Sequence, residues 1–290
     1  MSNPFKTRTG GATVTVFAPY DCNNHCPFCI NKEEYADTSG FSLEKIIDSI
    51  REVGTFTPYC DFAFTGGEPM ANLESLQRML DAVAPTHRVF INTTLPVMND
   101  YSEDEVAAFL NRNRDKITCV NVSRHLHKYV EESRDELFSR LEVPVRVNCV
   151  LFHTHSPQRM LEFVRRFEPW NIPIQFRADY TKTTPENLYD EAGDDILWEL
   201  RSVFRPTKME GCRIRCNYEF LDGKHVVSYH KTLPYSTMTV TDEEGHTYDL
   251  LYDVLIKQNG DFHSDWTGVP MNLEDYKRVI FEPYDLHRIY

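Results

Sequence analysis

Three observations predict an α/β fold built on a curled parallel sheet. Strand-like and helix-like runs alternate six times between residues 13 and 204. Strand–helix pairs in series favour parallel pairing, and right-handed crossovers curl such a sheet toward a partial barrel. After about residue 206 the helical spacing fades, and short β-like runs take over, joined by Asp222-Gly223, Glu244-Gly245 and Asn259-Gly260.

The spacing predicts strands over 13–17, 61–65, 88–94, 117–123, 145–152 and 173–179. The first, Thr13-Val-Thr-Val-Phe17, is β-branched, aromatic and alternating. Helices are predicted over about 42–54, 72–84, 102–114, 133–141, 156–167 and 189–204. Leu43, Ile46, Ile47 and Ile50 mark one helical face, and Ser42 and Ser102 with acids after them mark helix starts. Beyond 206, residues 218–229, 237–241 and 247–262 read as strands, because Asp-Gly and Asn-Gly between β-like runs signal hairpins. The domain expectation is therefore a barrel over 1–206 and a small β-rich C-terminal cap over 207–290.

The 290 residues suffice to bury a large core. Lys and Arg number 31 against 44 Asp and Glu, so the net charge is 31 − 44 = −13. That balance argues against a nucleic-acid partner, which calls for a basic footprint. Eight cysteines are too few for a disulfide scaffold of this length. Residues 1–10 carry no apolar signal-peptide core, and no run approaches the roughly 20 apolar residues of a membrane span. A cytoplasmic, reducing location with no membrane partner is expected.

Chemistry concentrates after the first predicted strand, in Asp21-Cys-Asn-Asn-His-Cys-Pro-Phe-Cys29. Cys22, Cys26 and Cys29 supply three thiolates. A [4Fe-4S] cube needs four ligands, so three leave one iron open. Two plainer readings exist: a zinc site completed by His25 or a distant His, and thiols with no ligand role. A second motif, Phe64-Thr-Gly-Gly-Glu-Pro-Met70, lies one βα unit later. Gly66 and Gly67 let backbone polar groups approach a ligand, Glu68 can accept from an ammonium group, and Pro69 suits the first residue of a helix.

Together the two motifs resemble the radical S-adenosylmethionine (radical SAM) superfamily. The family's cluster motif matches Cys22, Cys26 and Cys29, and its adenine-side aromatic matches Phe28. Its methionine-binding turn matches Gly66, Gly67, Glu68 and Pro69. More weakly, Ser123 in Val120-Asn-Val-Ser-Arg124 resembles a ribose contact, and Asn148 in Pro144–Leu151 resembles a SAM contact. The match covers roughly residues 12–182. The resemblance implies a six-stranded (β/α)6 partial barrel, a [4Fe-4S] cluster and S-adenosyl-L-methionine. It implies an electron donor such as flavodoxin or ferredoxin, and a 5′-deoxyadenosyl radical that takes hydrogen from an unactivated C–H bond.

Alternation puts Arg146 on the face of Asn148, and Gln175, Arg177 and Asp179 on one inward face. With Arg124, His125, His127, His153 and Lys182 at strand ends, a basic cavity is expected inside an acidic protein. Either an anionic substrate meets Arg124, Arg146, Arg177 and Asp179, or these charges pair internally, as Arg177 with Asp179 or Glu68. Cys212 and Cys216 are open to three readings: ligands of a second cluster with help from His225 or His230, a thiol hydrogen donor, or free thiols. Cys60, Cys119 and Cys149 sit in or near predicted strands.

Within the superfamily the general look is to the branch of the GTP 3′,8-cyclase of molybdenum cofactor synthesis and the peptide-maturing enzymes. Ala63 stands where the cyclase has Arg, and a third C-terminal cysteine and the Gly-Gly tail are missing, which argues against that activity. The expectation is an enzyme acting on a small, anionic metabolite or nucleotide. A peptide- or protein-modifying enzyme is the second reading, and a non-catalytic iron–sulfur or zinc protein the third.

Overall fold

The structure is a computed structural model that describes residues 3–8, 10–18, 22, 26–29, 40–95, 101–127, 133–152, 156–212, 214–233, 237–264, 274 and 277–281. Helix α1 spans Leu43–Phe56, capped by Ser42 accepting from the Lys45 N–H. Its Ile46, Ile47, Ile50 and Val53 are buried, as their spacing predicts. Burying each such side chain contributes about 1.5–3 kcal/mol. Helices α2 (Leu73–Ala82), α3 (Glu103–Arg112), α4 (Pro157–Arg166) and α5 (Asp195–Val203) follow the same scheme. Ser102 and Glu105 close a capping box at the start of α3. The predicted helix over 133–141 is instead a 3-10 helix, Asp135–Arg140.

The barrel strands are β2 (Thr13–Ala18), β3 (Asp61–Gly66), β4 (Arg88–Thr93), β5 (Cys119–Ser123), β6 (Val145–Leu151) and β7 (Ile174–Ala178). They pair in parallel in chain order, with no reversal of direction along the sheet. One face of each strand carries the apolar residues that meet the helices, such as Val120 and Val122, or Phe176 against Phe163 of α4. The other face carries polar residues.

Strands beyond the barrel extend both edges of the same sheet. On one side β8 (Arg205–Cys212), β9 (Arg215–Asp222) and β10 (His225–Thr232) continue from β7. On the other, β13 (Asp253–Ile256) pairs in parallel with β2 and carries β14 (Phe262–His263). β1 (Phe5–Thr7), β12 (Thr247–Leu251) and β11 (Thr237–Thr241) form a separate small sheet. The turns at Gly223, Gly245 and Gly260 all have positive φ, as the X-Gly reading predicts.

How far the large sheet curls is shown by one ion pair. In its order β14-β13-β2-β3-β4-β5-β6-β7-β10-β9-β8, seven strands separate β13 from β9. Yet Arg215 on β9 reaches the carboxylate of Asp253 on β13 at 2.7 and 2.8 Å. The sheet is therefore a partial barrel whose lateral gap is spanned by this pair, with β14 and β8 as the outer strands.

Candidate active site

The upper rim, at the C-terminal ends of β2–β7, brings together the two sequence motifs. β2 ends at Ala18, and the cysteine loop follows it. β3 ends at Gly66, where φ is +120°. A Cβ there would lie 2.1 Å from the Ala18 carbonyl oxygen, so only glycine fits. The Gly67 N–H donates to the same oxygen at 3.1 Å, which seats the turn against the root of the cysteine loop.

Glu68 is held in place by the protein's own donors. It is 1% exposed and caps the 3-10 turn Pro69–Ala71 by accepting from the Met70 N–H. Its oxygens also accept from Thr93 Oγ1, Thr94 N–H and Thr94 Oγ1. These four donors lock the end of β3 to the end of β4. Burial raises its pKa, against the pull of the hydrogen bonds from Thr93, Thr94 and Met70.

In the cysteine loop the Cys29 N–H donates to the Cys26 carbonyl at 3.2 Å. Cys22, Cys26 and Cys29 are half-buried and not in disulfides. Among the described residues no three His, Cys, Asp or Glu side chains, these included, are gathered as around a single ion. In a cubane each thiolate binds its own iron, so the ligands stand further apart. Asp21, Asn23, Asn24 and His25 lie outside the described residues, as does His153.

Phe28 is anchored against the ends of β5 and β6: its ring lies 4.8 Å from His125 and 5.8 Å from Phe152. His125 Nδ1 accepts the Val150 N–H at 3.2 Å. Burial, and then the neighbouring Arg124, pull its pKa down to about 4, so the ring is neutral and carries its proton on Nε2.

Ser123 and Asn148 are direct neighbours in the β5–β6 register, on the inward face. Asn148 is buried, and its Oδ1 has no hydrogen-bond partner among the described residues. Below them a polar ladder crosses the interior. Asn121 donates to Asn92 at 2.8 Å, and Arg146 donates twice to Asn121 Oδ1, at 3.1 and 2.7 Å. Arg177 on β7 lies beside His230 on β10.

Two of the predicted substrate residues are elsewhere. Arg124 shares the parity of Val122, points into the helix layer and is 0% exposed. Its guanidinium donates to the Thr94 and Ser123 carbonyls and to Ser133 Oγ, and lies over Phe138. Asp179 caps the 3-10 helix Tyr180–Lys182 by accepting from Thr181, and lines a separate cavity of about 260 Å3 with Lys231, Asp194 and Tyr229. Arg177 pairs with neither Glu68 nor Asp179; the acid that acts on it is Asp253.

The register also separates the two late cysteines. Cys212 faces Arg215, whereas Cys216 faces Gly211, so their side chains leave opposite faces of the β8–β9 hairpin. Cys216 is buried beside Tyr218, and burial raises its pKa. Among the described residues no group of three potential ligands includes either one. Cys60 is a buried thiol beside His87, pushed up to about 12 chiefly by burial.

Sequence reasoning missed Asp253 and Arg215, and named His230 only as a possible cluster ligand. Asp253 had a signal: it is an acid inside the apolar run Leu250–Ile256.

The residues fit the group that the motifs imply. They offer three thiols outside any disulfide and a buried amide oxygen awaiting a donor. No curated protein matches the chain by sequence. Among solved structures, Streptococcus suis SuiB bound to the precursor peptide SuiA is 13% identical, with a TM-score of 0.53 over 94% of this chain and 62% of SuiB. Native anSMEcpe with bound AdoMet and Cp18Cys peptide is 18% identical, with a TM-score of 0.45 over 62% of this chain and 53% of its own. SuiB bound to S-adenosylmethionine is 14% identical, with a TM-score of 0.41 over 57% and 38%. The chain thus spans less than two thirds of each of these proteins, and the SuiB–SuiA likeness is one of fold. The family model for the radical SAM superfamily matches residues 18–167, from the root of the cysteine loop to the end of α4. With that match over half its length, and the motifs in the places described, the chain belongs to the radical SAM superfamily, whose members are enzymes using a [4Fe-4S] cluster and S-adenosylmethionine with a one-electron donor.

Proposed function

We propose that this radical SAM enzyme removes a hydrogen atom from a peptide or protein segment seated at the barrel's lateral opening. The supporting observation is β8. It is the outer strand of the large sheet, and Arg205–Met209 are all exposed. Its first half is guarded against indiscriminate pairing by Pro206, Lys208 and a register shift between them. Met209–Cys212 carries no proline and no register shift, and ends beside Arg215, at the gap. A peptide adding there as a strand would gain main-chain hydrogen bonds. A groove of about 230 Å3, lined by Arg201, Met209, Tyr218 and Phe220, offers room for its side chains. SuiB, of similar fold, was solved with its precursor peptide.

When bound, the cluster and S-adenosylmethionine supply a 5′-deoxyadenosyl radical. We assign Cys22, Cys26 and Cys29 to the cluster, and Phe28, Ser123, Asn148 and the Gly66–Pro69 turn to S-adenosylmethionine. The protein orients these groups and excludes water. β9, β10 and β13 of the C-terminal region frame the opening, and a flavodoxin or ferredoxin in the cytoplasm serves as the donor. Among the described residues no helix is long and apolar enough to cross a membrane.

A second reading, a small anionic metabolite or nucleotide, is favoured by the interior arginines. A deuterium screen separates the two. Reconstituted protein with reductant is given deuterated peptides or deuterated metabolites, and label is sought in 5′-deoxyadenosine. Label from peptides, with a raised KM in Met209→Pro and unchanged substrate-free cleavage, is expected. Label from metabolites alone, with Met209→Pro neutral, would reject the peptide reading.

A further inference from the structure

Among the described residues, the interior gathers more positive charge than the acids beside it balance. Arg146, Arg177 and His230 project from the inward faces of β6, β7 and β10. Their orientation follows from alternation: Phe176 packs on Phe163 and Tyr229 on Tyr218 in the helix layer, so Arg177 and His230 turn the other way. The two are paired in register, on strands about 4.8 Å apart.

Arg177 makes no hydrogen bond and no ion pair among the described residues, although a guanidinium carries five donors. Burial first, then Arg146 and Arg215, pull its pKa down to about 10, with Asp253 opposing. Burial and the same three arginines hold His230 neutral, so it can still donate one N–H. Among the described residues Arg146 donates only to the amide oxygen of Asn121. Asp253 is engaged by both of its oxygens with Arg215. Among the described residues of this cluster, Arg146, Arg177 and Arg215 against Asp253 leave 3 − 1 = +2, inside a chain of net charge −13. A half-buried charge without an ion-pair partner is poorly solvated, and a carboxylate or phosphate is the partner whose geometry a guanidinium fork matches.

We propose that the barrel interior binds an oxyanion group of the substrate, carboxylate or phosphate, on Arg177, with His230 and Arg146 as further donors. This rests on the enzyme reading only in that substrate enters the barrel, and it holds for a peptide or a metabolite.

The test uses reconstituted holoenzyme without reductant, so no turnover is needed. Thermal midpoint and calorimetric binding are followed with succinate, inorganic phosphate, a Glu-containing peptide and its Gln counterpart, each against chloride of equal ionic strength. At least one oxyanion is expected to bind saturably where chloride does not. Arg177→Gln should weaken that binding at least tenfold, leave affinity for S-adenosylmethionine within twofold, and leave the unliganded midpoint unchanged or higher, because an unpaired cation is gone. Preference for succinate or phosphate identifies the group. Preference for the Glu over the Gln peptide ties it to a peptide, whereas free anions binding without either peptide would retain the site and reject the peptide reading. The proposal is overturned if no oxyanion exceeds chloride. It also fails if Arg177→Gln weakens S-adenosylmethionine in parallel, or if it lowers the unliganded midpoint without changing anion binding.

Discussion

The upper rim of the barrel and its interior are built on opposite terms. At the rim and in the helix layer behind it, Glu68 accepts four hydrogen bonds, and Arg124 donates to two carbonyls and a hydroxyl. In the interior, the Asn148 amide oxygen and the Arg177 guanidinium have no partner among the described residues. The difference separates two jobs. Rim charges shape the turns that carry the two sequence motifs, whereas the interior groups are the ones we propose to meet ligands. Leaving a buried polar group unpaired costs about 1–3 kcal/mol, which a bound ligand group would offset.

The largest expected effect bears on the rim. Cys26→Ala should reduce 5′-deoxyadenosine to background and lower bound iron, measured by chromatography and iron assay on anaerobic preparations. Next comes the clasp across the gap. Arg215→Gln leaves Asp253 buried and uncompensated, and should cost about 3–5 kcal/mol in chemical denaturation. Asp253→Asn in the same chain should recover part of that loss; simple additivity would show that the pair does not join the two flanks.

A third prediction concerns pH. The folded pKa of His125 is lowered to about 4 from an unfolded value near 6.5. The unfolded chain therefore binds the proton first on acidification. Stability from this group is complete above pH 6.5 and is lost as pH falls toward 4, by about 3 kcal/mol. His125→Phe keeps a ring against Phe28 and removes the titration, so its stability should fall less over that window. An unchanged slope would contradict the neutral, buried ring. The smallest effect is expected for Cys212→Ala. Since Cys212 and Cys216 leave opposite faces of one hairpin, substrate-free cleavage should stay within about twofold of the parent, within the spread of ordinary surface changes.

Much of this architecture was legible in the sequence, for reasons that also explain the gaps. The six barrel strands alternate apolar and polar residues with period two, and each is found within two residues of its predicted place. β8 was missed because Arg205-Pro-Thr-Lys-Met-Glu-Gly has no alternation; an outer strand exposed on both faces needs none. The joining of β13 to β2 rests on pairing across more than 230 residues, which local pattern does not encode. Arg124 was assigned to the cavity by its place at a strand end, although its parity with Val122 already put it in the helix layer. Arg146 and Arg177 were placed inward by alternation alone, and the structure keeps them there.

The central claim is that the rim is a prepared seat for an iron–sulfur cube with one open iron facing S-adenosylmethionine. Electron paramagnetic resonance of the reduced, reconstituted protein tests it most directly, with and without S-adenosylmethionine, alongside an iron count. The account predicts four irons per chain, a cluster signal that changes on adding S-adenosylmethionine, and loss of that change in Asn148→Leu. Four irons with a signal indifferent to S-adenosylmethionine, in a protein that yields no 5′-deoxyadenosine, would contradict it.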